Sequence, residues 1–309
     1  MDRPTRRTEG SEVADGNTDN DTTSTRLVGI AWIILGVVVF TFFFASAKFV
    51  GTTDITLDIV FYRYVGGFMS ICCVLALRRI TPLQTTLRNV GLNLVRSTCG
   101  ATGGSMMIAA TAVLPVATAT AIGLLDGVLI FLLGALLLKE TPSRTTWSGL
   151  VLCLSGALCV VVIGQEGTFA TASTQGLLLA VGGACFIAFE GVFIKVTGTR
   201  DRPIIALFYV NLFGCLLVFL ALAIFGQLGA LTDNILFIAW GPLAVFGQFC
   251  FFIGYRLAPL VIAGPVGYTW IIFSMLVGYL FFGEAVTMIA ALGALLILLG
   301  GYLLSKGPA

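Results

Sequence analysis

Apolar stretches of about twenty residues alternate with short polar breaks from residue 27 almost to the end of the chain. At 1.5 Å per residue, a helix of that length crosses the ~30 Å of hydrocarbon in a bilayer. The pattern predicts ten spans, at 27–48, 57–77, 91–110, 117–138, 146–163, 175–196, 204–225, 235–254, 260–281 and 285–304. Pro82, Pro115, Pro142, Pro203 and Pro259 punctuate the junctions. An even number of spans leaves both termini on one side. The first 26 residues, which contain DGNTDNDTTST, cannot bury apolar surface and are expected to form a disordered tail. No basic, apolar, small-residue leader precedes the first span, so that span is expected to remain as an anchor.

The pattern also repeats. PVATATAIGLLDGVLIFLLGALLLKE (115–140) lies on PLVIAGPVGYTWIIFSMLVGYLFFGE (259–284) without a gap, at a shift of 144 residues. Pro115 then meets Pro259, Gly123 meets Gly267, Glu140 meets Glu284, Gly149 meets Gly293 and Gly156 meets Gly300. Earlier in the chain the shift is 147: KFVGT (48–52) meets KVTGT (195–199), and Phe61-Tyr62 meets Phe208-Tyr209. Spans 1–5 (27–164) and 6–10 (175–305) therefore read as two copies. Because five is odd, the second copy must insert upside down, the inverted-repeat plan common among secondary transporters. A repeat kept only for packing is the alternative.

Composition removes any water-soluble reading. The chain is 58% hydrophobic and 10% charged, where soluble domains carry about a quarter charged residues. Basic residues then orient the spans. With a cytoplasmic amino terminus, 14 of the 17 Lys and Arg fall in cytoplasmic segments. Lys48, Arg63 and Arg96 are the exceptions, within or closing spans, and the opposite loops hold none. The expected location is the cytoplasmic (inner) membrane, multi-pass, with both termini cytoplasmic. A net charge of +2 without a basic cluster gives no reason to invoke nucleic acid. All eight cysteines lie in apolar runs without CxxC spacing and read as small packing residues. Histidine is absent, which removes the usual imidazole metal ligand and proton shuttle, and no metal or cofactor is expected. Carboxylates remain as proton carriers.

The prolines at 115 and 259 open the fourth span of each half, and Gly-x-x-x-x-x-Glu closes it. With LPVATATAI…LLLKE and YRLAPLVIAGPVGYT…FFGE, the chain resembles EamA-type members of the drug/metabolite transporter superfamily over essentially residues 27–305. The resemblance implies a secondary carrier for a small organic solute, without ATP, with a central cavity lined mainly by spans 1, 3, 4, 6, 8 and 9. It leaves the substrate open among amino-acid-like, nucleoside-like and vitamin-like metabolites.

Ionisable groups at depth in a membrane are functional candidates by default. Asp126, near the middle of span 4, is the first: its helical neighbour Gly123 leaves room for a ligand, and its repeat twin is Trp270. An ion pair with Arg96 or Arg63 is the structural alternative. Glu190, beside the small residues of GGACFIAF, either shares a polar space with Asp126 or pairs with Lys195. Two such carboxylates would suit proton coupling or a cationic substrate group. Arg63 is suited to hold a carboxylate or phosphate, or to anchor its helix. Asn211 and Gln248 are candidates for ligand contact or an interhelix bond. Tyr268 and Trp270, beside Pro265, suit stacking of a planar ligand or plain packing. Glu140 and Glu284, like Lys48 and Lys195, stand at span ends and are expected to be structural caps.

Other function classes fit less well. A membrane enzyme would need a catalytic constellation, and the carboxylates are scattered with no histidine. An ATP-driven pump would need GxxxxGK[ST], which is absent. A channel-like facilitator or a non-transport receptor or scaffold remains as the alternative. The expected partners are a small-molecule substrate and the bilayer; a homo-oligomer stays open.

Overall fold

The structure is a computed structural model, described over residues 24–42, 57–113, 122–159, 173–226, 228, 235–283 and 286–306. The expectations for Lys48, Glu284, most of the amino-terminal tail and Pro115 lie outside the described residues. Within them every regular element is helical. The helices are α1 (Ser24–Phe42), α2 (Leu57–Arg78), α3 (Leu87–Val113), α4 (Leu125–Leu137), α5 (Arg144–Leu158) and α6 (Thr174–Gly198). They continue with α7 (Pro203–Ile224), α8 (Gly241–Leu257), α9 (Leu260–Val266), α10 (Thr269–Phe282) and α11 (Met288–Lys306). A 3-10 turn, Ile235–Trp240, leads into α8.

Seven segments are long and apolar enough to cross a bilayer; α9 and α10 together make one of them. The rest fall short for visible reasons. Helix α3 carries Asn89, Asn93 and Arg96, and it begins earlier than hydropathy predicts because Thr86 Oγ1 accepts from the Asn89 N–H at 3.3 Å. Helices α4 and α5 are described over 13 and 15 residues.

Lipid offers no hydrophobic drive between helices, so close packing through small residues must hold them together. Four antiparallel contacts do this. Gly103 of α3 meets Ile187 and Phe186 of α6, while Gly247 of α8 meets Phe40 and Val39 of α1. Gly149 of α5 lies against Gly300 of α11, and Gly156 against Gly293. Gly134 of α4 meets Leu260 at the start of α9, and Gly127 lies by Gly264 near its end. These are repeat-related contacts: at a shift of 144, Gly149 and Gly156 exchange with Gly293 and Gly300, and Gly103 exchanges with Gly247. Ile187 and Phe186 exchange with Phe40 and Val39 at 147, so the three-residue gap falls between α2 and α3.

Helix stops follow the same register. The positive-φ residues among those described are Arg79 (51°), Lys139 (56°), Gly226 (66°) and Gly283 (66°). Arg79 pairs with Gly226 at 147, and Lys139 with Gly283 at 144. Around Arg79 and Lys139 the following N–H reaches back to close the helix, Ile80 to Leu75 O at 3.0 Å and Glu140 to Gly134 O at 3.2 Å.

Just beyond Lys139, the Glu140 carboxylate accepts from Leu260 N at 3.0 Å and Val261 N at 2.9 Å, capping α9 from the other half of the chain. Lys195 Nζ donates to Ala258 O beside it. Two backbone donors at a helix start are thus met by one carboxylate, a position that also favours negative charge. Glu140→Ala is expected to cost about 1–3 kcal/mol by stranding both, read as a lower melting temperature of the detergent-solubilised protein. Glu140→Gln, which keeps one acceptor, should lose less.

Candidate functional site

The fourth predicted span of each half has a local turn at the same place. In the second half the ladder tightens around Gly267 and Tyr268: Tyr268 N reaches Pro265 O, Trp270 N reaches Gly267 O and Ile271 N reaches Tyr268 O, each three residues back, while the backbone stays right-handed helical. In the first half a turn at Leu124 precedes α4. Leu124 and Tyr268 are repeat twins, and the two turns touch: Tyr268 Oη donates to Leu124 O at 2.6 Å, both residues buried.

Asp126 stands in the first turn of the described α4, two residues past the turn at Leu124. Its Oδ1 accepts from Gly127 N, and among the described residues it has no salt bridge. The anticipated pairing with Arg96 or Arg63 is not what the side chains make. Arg96, fully buried on α3, has instead Glu190 of α6 as its carboxylate neighbour, with Nε 4.0 Å from Oε1. The Phe252 ring of α8 lies 5.6 Å from the Arg96 Cζ. Glu190 is accommodated by Gly100, one turn beyond Arg96, where any Cβ would come within 2.7 Å of its carboxylate. Lys195 turns away to Ala258 and leaves Glu190 to Arg96.

Arg63 on α2 lies over the Tyr64 ring, 4.2 Å from its centroid. Tyr64, buried, is within electrostatic reach of Arg63, Arg96 and Glu190. Tyr255 of α8 is likewise within reach of both Asp126 and Glu190, and Gly191 packs against it and against Ile130 of α4. One polar seam thus runs from α2 through α3, α6 and α8 to α4 and the turn at Tyr268. Each helix contributes one or two groups, in an interior otherwise lined by apolar side chains such as Ile130, Phe131, Val192 and Ile262.

The remaining candidates lie elsewhere. Asn211 Nδ2 donates to Gln248 Oε1 at 3.0 Å and to Leu207 O at 2.8 Å, joining α7 to α8 beside Gly67. Trp270 is half-buried against the main core. Tyr64, Tyr255 and Gly100 belong to the seam, but periodicity gave no reason to select them; the adjacency of Tyr64 to Arg63 was the one available hint.

At this depth the twins of the charged residues are uncharged. Asp126 corresponds to Trp270 and Arg96 to Trp240 at 144, and Arg63 to Val210 at 147. A symmetric scaffold carries an asymmetric polar surface.

Likeness to known proteins agrees with this architecture. A solved structure described only as a crystal structure of a protein superposes with a TM-score of 0.73 over 92% of this chain and 98% of its own, at 17% identity, so the likeness is one of fold. No curated protein matches the chain. The EamA-like transporter family model matches it twice, over residues 27–162 and 174–306. Two matched repeats over nearly all of its length mean that this chain belongs to the EamA-like transporter family.

Proposed function

We propose that the protein is a secondary active carrier that moves a small organic metabolite across the cytoplasmic membrane by alternating access, with a proton or solute gradient as its driving force. On this reading the chain makes ten spans in two inverted five-helix repeats, with both termini in the cytoplasm, and Asp126 is the coupling carboxylate. Family membership supplies the coarser part, a membrane transporter of small molecules. The antiparallel packing of α5 on α11, the fifth helix of each half, supports the inversion.

The observation that carries the proposal is the meeting of the two repeat-related turns at Leu124 and Tyr268, with Asp126 alongside. Irregular turns in corresponding helices of two halves are where secondary transporters build their sites, because a local departure from the regular ladder lets backbone groups bond outside their own helix at depth, as Leu124 O does with Tyr268 Oη. The polar seam supplies side chains that two differently tilted halves can expose first to one side and then to the other.

Counterflow in proteoliposomes tests this. Vesicles preloaded with each of a panel of amino acids, nucleosides and vitamins are expected to accumulate the labelled form of at least one, saturably. An unsaturable, potential-driven current would instead establish a channel. Binding without any flux would establish a receptor.

A further inference from the structure

Arg96 is 1% exposed, and its Nε and Nη1 are buried without a hydrogen-bond partner. The nearest carboxylate stops 4.0 Å from Nε, well beyond the ~2.7–2.9 Å of a charge-assisted hydrogen bond. Buried charged donors left unmatched are costly, and native structures rarely keep them without a use. Glu190 rests over the bare Cα of Gly100, one helical turn further along α3, where its carboxylate has room that a side chain would deny it. The resident counterion thus neutralises the guanidinium at a distance and leaves Nε and Nη1 without a hydrogen-bond partner.

We propose that Arg96 receives the carboxylate of the transported solute, with Glu190 standing aside as the counterion in the unloaded state. This names the substrate class for the carrier reading and rests on it. A guanidinium N–H gives a carboxylate a charge-assisted hydrogen bond, and Nε and Nη1, on opposite edges of the group, are each a buried donor of that kind without a partner. Charge favours a monoanion over a dianionic phosphate: Arg96 already has Glu190 as its carboxylate neighbour, so each further negative charge adds to the cost at depth. Phe252, Tyr64 and Tyr255 wall the seam and suit an apolar or aromatic body behind the carboxylate.

The test is a thermal-shift titration of the purified full chain with acetate, lactate, benzoate and glycine. Each is compared with its own amide, and inorganic phosphate is run beside them. At least one acid is expected to bind at least ~10-fold more tightly than its amide, the scale of one charge-assisted hydrogen bond. Arg96→Gln should erase that preference. Arg96→Lys, which keeps the charge but not the planar set of N–H donors, should weaken it, and serves if the glutamine variant does not fold. Glu190→Gln should strengthen acid binding several-fold by removing the competing carboxylate, an outcome of opposite sign that loss of structure cannot mimic. Acids no better than amides, a preference that survives Arg96→Gln, or phosphate bound above every carboxylate would each overturn the proposal. The two readings fail separately. Acid binding through Arg96 without counterflow sinks the carrier and spares the site; counterflow of a solute lacking a carboxylate, indifferent to Arg96→Gln, does the reverse.

Discussion

Asp126→Asn is expected to abolish gradient-driven accumulation while leaving the protein folded. A difference of one pH unit can sustain about tenfold accumulation per proton moved, so in proteoliposomes with such a gradient the variant should fall from that ratio to about one. Counterflow, which needs no coupling, should persist. The substitution is close to isosteric: the asparagine Oδ1 can still accept from Gly127 N, the one hydrogen bond described for Asp126. What disappears is the capacity to carry a proton or hold a cation beside the turn at Leu124. Accumulation unchanged by the variant would move the coupling role elsewhere, with Glu190 next in line.

The largest structural effect is expected at Gly241. A Cβ there would lie 2.1 Å from Gly66 C and 2.3 Å from Gly67 N, so the obstacle is backbone and no side-chain rotation relieves it. Valine would force α2 away from the start of α8 and disturb the Asn211–Gln248 bond, which lies beside Gly67. Overpacking in a tight interior commonly costs about 1–3 kcal/mol and sometimes more; with two backbones in the way, the upper end or beyond applies. Gly241→Val should lose the monodisperse peak in size-exclusion chromatography. Gly301→Ala is the control, since a Cβ there meets nothing within 4 Å, and it should elute as the parent does.

The periodicity of the sequence made the helical segments and the duplicated register legible, because span length and repeat spacing are local properties of a chain in lipid. Pro265 made one of the two turns legible. Its counterpart at Leu124 carries no such mark in the sequence, and the contact that joins the two comes from Tyr268 in the other half. Pairing was less legible still. Asp126 and Arg96 both stood out as charges at depth, yet the guanidinium lies against Glu190. That choice turns on Gly100, a residue whose importance is the absence of a side chain. A single sequence shows which groups are expensive in hydrocarbon, and only packing decides which of them meet.

The helix stops carry one more consequence. In the second half the left-handed position is occupied by glycine, Gly226 and Gly283, which adopts it freely. In the first half the same positions hold Arg79 and Lys139, at a backbone cost of about 1 kcal/mol or more each. On the proposed topology those two turns face the cytoplasm and the two glycines face outward. A pair of identical halves would insert into the membrane either way up with equal ease. On that topology Arg79 and Lys139 would break the tie: two slightly uncomfortable turns would put positive charge at one face only and so act as an address label.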